Sequence, residues 1–227
     1  LLENNKKIIN DTIVRYLKYN KFWINYLKEN LNLNNRRDYW IHDGIQMLVM
    51  MQYLDTYYPN LKMTGTIANL KILKSYHFIN LSFNEQYSYL YMLMARKNLD
   101  QALNEPKNDL IKFNEQIASK YRAGLSFKYL DSYLENNIVQ NTIKEFIQEN
   151  QYFGTNSRQF ETILLKNSPK DINWFFRTVI ESRDLIDFKF GKVTKTNENI
   201  SVNVINKTNT NVPISLYQLK NNQVINK

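Results

Sequence analysis

The sequence predicts a mainly α fold, with a helical domain over residues 1–184 and a small β-strand segment over residues 185–227. Three observations point there. Apolar residues recur at helical spacing through most of the chain, and the pattern switches to strand-like alternation from Ile186. With 5 Gly, 4 Pro and no Cys in 227 residues, there are few breaks and no disulfide framework.

Residues 5–30 carry Ile8, Ile9, Ile13, Val14, Leu17, Trp23, Ile24 and Leu27 at the spacing of one helix. Asn30 to Arg37 is a polar break. A second helix is expected from His42 or Asp43 through Leu54, ended by Tyr57-Tyr58-Pro59-Asn60, because the residue before Pro is pushed out of the helical region. A shorter helix is expected over 66–79 and a Tyr-rich one (Tyr87, Tyr89, Tyr91) over 84–103. Residues 107–135 read as one long helical stretch broken around Tyr121 to Gly124, and 141–149 as another helix. Gly154-Thr155-Asn156-Ser157 is a loop whose last residue is expected to cap the next helix. Ser168-Pro169-Lys170-Asp171 repeats that pattern ahead of a helix through Trp174, Phe175 and Val179. Strands are expected at 186–193, 200–204 and 212–219.

The chemistry is narrowed by what is scarce. Zero Cys excludes thiolate metal sites and thiol catalysis. His42 and His77 are the only imidazoles. The formal charge is +9, yet Lys and Arg are spread along an Asn- and Ile-rich chain, so a dedicated nucleic-acid surface is not expected. A helical nucleic-acid binder using that charge stays open as a minor reading. No apolar run approaches the roughly 20 residues of a membrane-spanning helix. The chain opens on Leu1 without a leader pattern and closes in strand-like sequence from Tyr217, so it is expected to be a piece of a longer protein, its small β segment immunoglobulin-like and the start of a truncated sandwich.

Two segments hint at a site. In Trp40-Ile41-His42-Asp43-Gly44 an acid precedes Gly just after Trp. In Lys120-Tyr121-Arg122-Ala123-Gly124 a Tyr lies three residues before Gly. Taken singly, Asp43 reads as a first-turn acid favoured by the helix dipole, Trp40 as a core anchor and Tyr121 as a packed aromatic at a helix bend. Taken together and in this order, they resemble the C-terminal part of the catalytic domain of aminopeptidase-N-type zinc metallopeptidases, the gluzincins. In that family an HExxH helix is followed, after about eighteen further residues, by a W-[LI]-x-E-G segment carrying the third zinc ligand, and later by a Y-x-x-G segment whose Tyr stabilises the oxyanion. The resemblance puts Asp43 at the third-ligand position and Tyr121 at the oxyanion position. The lead-in Arg36-Arg37-Asp38-Tyr39-Trp40 and the helix end Tyr57-Tyr58-Pro59 suggest a Bacteroidetes-type surface relative.

The family spacing also places HExxH at residues 20–24, where this chain has Asn20-Lys21-Phe22-Trp23-Ile24. Lys21 stands where the general base belongs, and no His precedes His42. Catalytic zinc takes about three protein donors plus an open position, and a protonated Lys cannot accept a proton from zinc-bound water. The expectation is therefore a peptidase-like fold without its metal and without another cofactor. Trp40, Asp43 and Tyr121 would line a groove for a protein or peptide, with Tyr121 catalytically vestigial. As the resemblance implies it, the protein is a non-catalytic binding or scaffold subunit of a bacterial cell-envelope assembly, expected to reach the outer membrane through a complex or lipid anchor. The alternative is an active zinc peptidase whose dyad lies outside this chain.

Overall fold

The computed structural model describes residues 2–63, 81–196, 199–220 and 223–226, with side chains from Asp11 onward. The chain is mainly α. Its helices are α1 (Leu2–Asn30), α2 (Tyr39–Tyr57), α3 (Glu85–Ala95), α4 (Ser119–Leu134), α5 (Ile138–Asn150) and α6 (Ser157–Asn167). The short strands β1 (Asn32–Leu33) and β2 (Gly154–Thr155) pair in parallel. Two hairpins follow the helices: β3 (Phe188–Lys195) with β4 (Ile200–Asn206), and β5 (Gln218–Lys220) with β6 (Gln223–Asn226), both antiparallel. The helix expected over 66–79, and His77 with it, lies outside the described residues.

α2 is the central helix. Trp40, Ile41, Ile45, Leu48, Met51 and Leu54 are all buried, because it is packed on more than one side. Its most extensive neighbour is α4, which buries the stripe Ala123, Phe127, Leu130 and Leu134 at helical spacing. Two glycines let these helices meet. A Cβ on Gly44 would lie 2.5 Å from the Phe127 ring, and one on Gly124 would lie 2.3 Å from Met47 Cβ. Around the crossing, Phe127 packs against Trp40 (6.0 Å between ring centroids), Phe160 (5.7 Å) and Phe175 (5.9 Å).

Several boundaries differ from the sequence expectation, each for a local reason. α2 begins at Tyr39, ahead of His42, because Asn34 accepts from the Arg37 and Asp38 amides and Tyr39, Trp40 and Ile41 then turn into the core. Asp43 is consequently not a first-turn acid. α3 ends at Ala95 rather than running to 103; Asn98 takes a left-handed φ of 56° just beyond it. The irregularity expected at 121–124 lies earlier, in a π-helical segment at Asn114–Ala118 that runs into α4. There buried Asn114 donates to the Leu99 carbonyl (2.8 Å) and Gln101 Oε1 (2.9 Å). Gly124 thus serves the crossing with α2, not a bend. Asn156, not Ser157, caps α6: its side chain accepts from the amides of Arg158 and Gln159, and Gln159 reciprocates in a capping box. The Ser157 amide donates instead to Asp38 Oδ1 at 3.0 Å. The helix through Trp174 to Val179 is largely a π-helical turn, Phe175–Ile180.

A buried arginine ties the irregular segments to α4. Arg122 donates to the carbonyls of Gln101 (2.6 Å), Val179 (3.0 Å) and Ser182 (2.6 Å), and its guanidinium lies 3.5 Å from buried Asp100. The β segment is tethered to α4 by Tyr129, which donates to the Pro213 carbonyl, and is folded back on its own start by Thr210, which donates to the Leu185 carbonyl at 2.7 Å. Of the strand expected at 212–219, only Gln218 and Leu219 are paired. The two hairpins are separate two-stranded sheets with large apolar residues in solvent, Phe190 at 68% exposure and Leu219 at 61%.

Candidate functional site

The site lies where α1, the N-terminal part of α2 and the start of α4 converge. α1 contributes Ile24, Leu27 and Lys28 to a cavity of about 380 Å³. α2 contributes Tyr39, His42, Asp43 and Gln46: Tyr39, Asp43 and Gln46 follow one another at about one turn along one side of the helix, and His42 flanks that row. Lys120 enters from α4, and Lys107 from a 3-10 turn (Lys107–Asp109) anchored by its own amide to the Arg36 carbonyl at 2.8 Å. Lys28 and Asn35 are exposed and form the cavity's rim.

Hydrogen bonds fix one wall. Gln46 donates through Nε2 to Asn20 Oδ1 and accepts at Oε1 from Lys120 Nζ at 2.8 Å. Asn20, which accepts from Gln46, and Ile24, which lines the cavity, stand at the positions where the resemblance would put the two zinc histidines. Lys107 Nζ rests 5.7 Å from the centroid of the Tyr39 ring. The Tyr39 hydroxyl is buried without a hydrogen-bond partner of ordinary geometry; burial, and then the Asp43 carboxylate, push it well above the usual phenol range, and the nearby Ser119 side chain offsets this only in part. The Asp43 carboxylate forms no salt bridge within 4.0 Å among the described residues.

Charge in this cavity is poorly solvated. Burial pushes the Asp43 carboxyl above its ordinary range, while the ammonium groups of Lys120 and Lys107 pull it back in part. Burial pushes Lys120 down; Asp43 opposes that shift, and Lys107 and Lys28 add to it. Burial also lowers His42, against the backbone carbonyls of Leu31 and Leu27. His42 Nε2 is buried and unpartnered.

The three residues singled out in the sequence do not share this cavity. Asp43 lines it. Trp40, at 2% exposure, is a core anchor between Phe127 and Phe160. Tyr121 faces a second, smaller cluster with Met47, Met51 and Tyr87, 4.9 Å from the Tyr87 ring. Tyr87 in turn pairs with Tyr16 of α1 through their hydroxyls at 2.9 Å. Consecutive helical residues diverge by about 100°, so α4 sends Lys120 to Asp43 and Tyr121 away from it. Lys120, Lys107 and Gln46 were not singled out from the sequence. Lys120 carried a readable signal, being a charge in line with the apolar stripe Ala123, Phe127, Leu130.

The donor set does not fit zinc. Within the cavity only His42 and Asp43 are customary ligands, and they are adjacent on one helix, where their side chains splay apart. Three ammonium groups nearby oppose a dication. Among the described residues no group of three or more His, Asp or Glu is placed to share an ion. No helix of the described residues is long and apolar enough to cross a membrane.

Comparison with known proteins adds no relative: no family model matches the chain, and neither a curated protein nor a solved structure matches it significantly.

Proposed function

We propose that this chain is a non-catalytic, metallopeptidase-like protein, a binding or scaffold subunit that holds a protein or peptide in a bacterial cell-envelope assembly. One arrangement supports the reading. The helix with Asn20 and Ile24 at the expected dyad positions packs beside the helix bearing Asp43, and the space between them is kept as a cavity whose polar groups are amides, a phenol, one imidazole, a carboxylate and lysines. Hydrolytic machinery is replaced there while a recess able to bind remains. Tyr121, packed among Met47, Met51 and Tyr87, supports the scaffold rather than an oxyanion. The envelope location and the immunoglobulin-like character of the β segment follow the resemblance; the exposed apolar side chains of the two hairpins suit strands that another sheet covers. A zinc dyad supplied by another chain would have to enter a cavity that Ile24, Leu27 and Lys28 already line.

The test is a peptide mixture incubated with the purified chain, with and without added zinc, and read by mass spectrometry. Peptides are expected to stay intact, and Asp43→Asn and Tyr121→Phe to change nothing in the product profile. Zinc-dependent cleavage that disappears in Asp43→Asn contradicts the proposal.

A further inference from the structure

The cavity beside Asp43 carries more charge than a peptide groove needs. Lys28, Lys107 and Lys120 reach it from three different elements; among the described residues that line it Asp43 is the only acid, with Asp38 and Glu105 acting on His42 and Tyr39 from behind the wall. Lys120 is directed by Gln46, and Lys107 by the Tyr39 ring and its backbone tie to Arg36. The Tyr39 hydroxyl adds a buried donor without a partner of ordinary geometry. The cavity also lies beside the N-terminal end of α2, where Asp38 makes no side-chain cap but its buried carboxylate, turned to the Ser157 amide, offsets part of the helix dipole. Like charges repel, and two half-buried ammonium groups with a third at the rim of one partly enclosed space are stabilised when an anion sits among them.

We propose that this cavity is a phosphate-binding site, taking a free phosphate or the phosphate group of a small monoester. Lysines serve as point charges around such a group and need no bidentate geometry. Lys107 and Lys120 hold the inner oxygens, the Tyr39 hydroxyl donates to one of them, and Lys28 neutralises charge at the rim. Asp43 limits affinity when ionised. The volume of about 380 Å³ exceeds what phosphate alone fills, leaving room for an organic substituent toward Lys28 and Asn35. The proposal rests on the cavity itself and does not require the peptidase-like reading.

Isothermal titration of the full chain, with chelator present so that no metal carries the signal, tests it with four probes: inorganic phosphate, O-phosphoserine, sulfate and acetate. Saturable one-to-one binding of phosphate or phosphoserine, with acetate silent, is expected; the tighter of the two tells free phosphate from a monoester. Sulfate is expected to bind weakly. Lys120→Met should weaken binding about tenfold, the size of one charge-assisted contact, and Asp43→Asn should strengthen it several-fold. Lys28→Met, at the exposed rim, serves as a second variant should Lys120→Met not fold, and should weaken binding about threefold. No saturable heat with either phosphate probe, equal binding of acetate, or unchanged affinity in both lysine variants overturns the proposal. Because metal is excluded, a failure here is separate from a failure of the non-catalytic reading, which is decided by zinc-dependent cleavage.

Discussion

Asp43 is the residue on which both proposals turn, and its protonation makes a stability prediction of its own. Burial raises its carboxyl, so the folded state favours the protonated form. Below the ordinary carboxylate range the folded and unfolded chains both hold the proton. As pH rises from that range to the raised folded value, the unfolded chain releases its proton first and stability falls. His42 and Tyr39 face the same cavity from α2, Lys28 from α1, and Lys107 and Lys120 from the elements packed on it; the lysines oppose the shift without cancelling it. Asp43→Asn removes the penalty. Thermal denaturation should therefore show Asp43→Asn melting above the native protein at pH 7 and together with it at about pH 3. A variant that melts lower at pH 7 would mean that Asp43 is stabilised as a carboxylate. Sequence spacing was enough to select Asp43, because an acid beside Gly after Trp is conspicuous. It was not enough to place Tyr121, since a difference of one helical position decides which cavity a side chain enters.

The pairing of α2 with α4 explains why the two quoted motifs end in glycine. Gly44 admits the Phe127 ring and Gly124 admits Met47 Cβ, so each marks a point of close helix approach. Met47 Cβ is fixed to its backbone and cannot move aside as the end of a flexible chain would. Gly124→Ala is expected to cost about 1–3 kcal/mol through overpacking, despite the better helix propensity of Ala, as read by chemical denaturation. A neutral or stabilising result would mean that the two helices do not approach this closely. Helix existence was legible from the 3.6-residue period, whereas helix ends were not. α2 starts early because Tyr39 and Trp40 are pulled into the core, and the π-helical segment before α4 depends on Asn114 reaching carbonyl and amide groups thirteen and fifteen residues away. Such partners leave no periodic trace. The third strand was misplaced for a similar reason: alternation at 212–216 has no neighbouring strand to pair with, and backbone pairing begins only at Gln218.

Taken as a whole, the molecule is a helical body closed around α2, with two apolar-faced hairpins at its C-terminal side and one lysine-rich recess between α1, α2 and α4. The division into helical and β parts near residue 185 could be read from the change of period alone. The recess could not, because its charged groups, Lys28, Asp43, Lys107 and Lys120, come from four separate stretches of the chain, which only the fold brings together. The claim that unites these features is that the Asp43 recess does not hold zinc. Calorimetric titration of zinc into chelator-stripped protein, with Asp43→Asn alongside, addresses it most directly. Native protein and variant should give the same traces, without a saturable one-to-one event. One zinc bound per chain in the native protein and none in Asp43→Asn would contradict the claim.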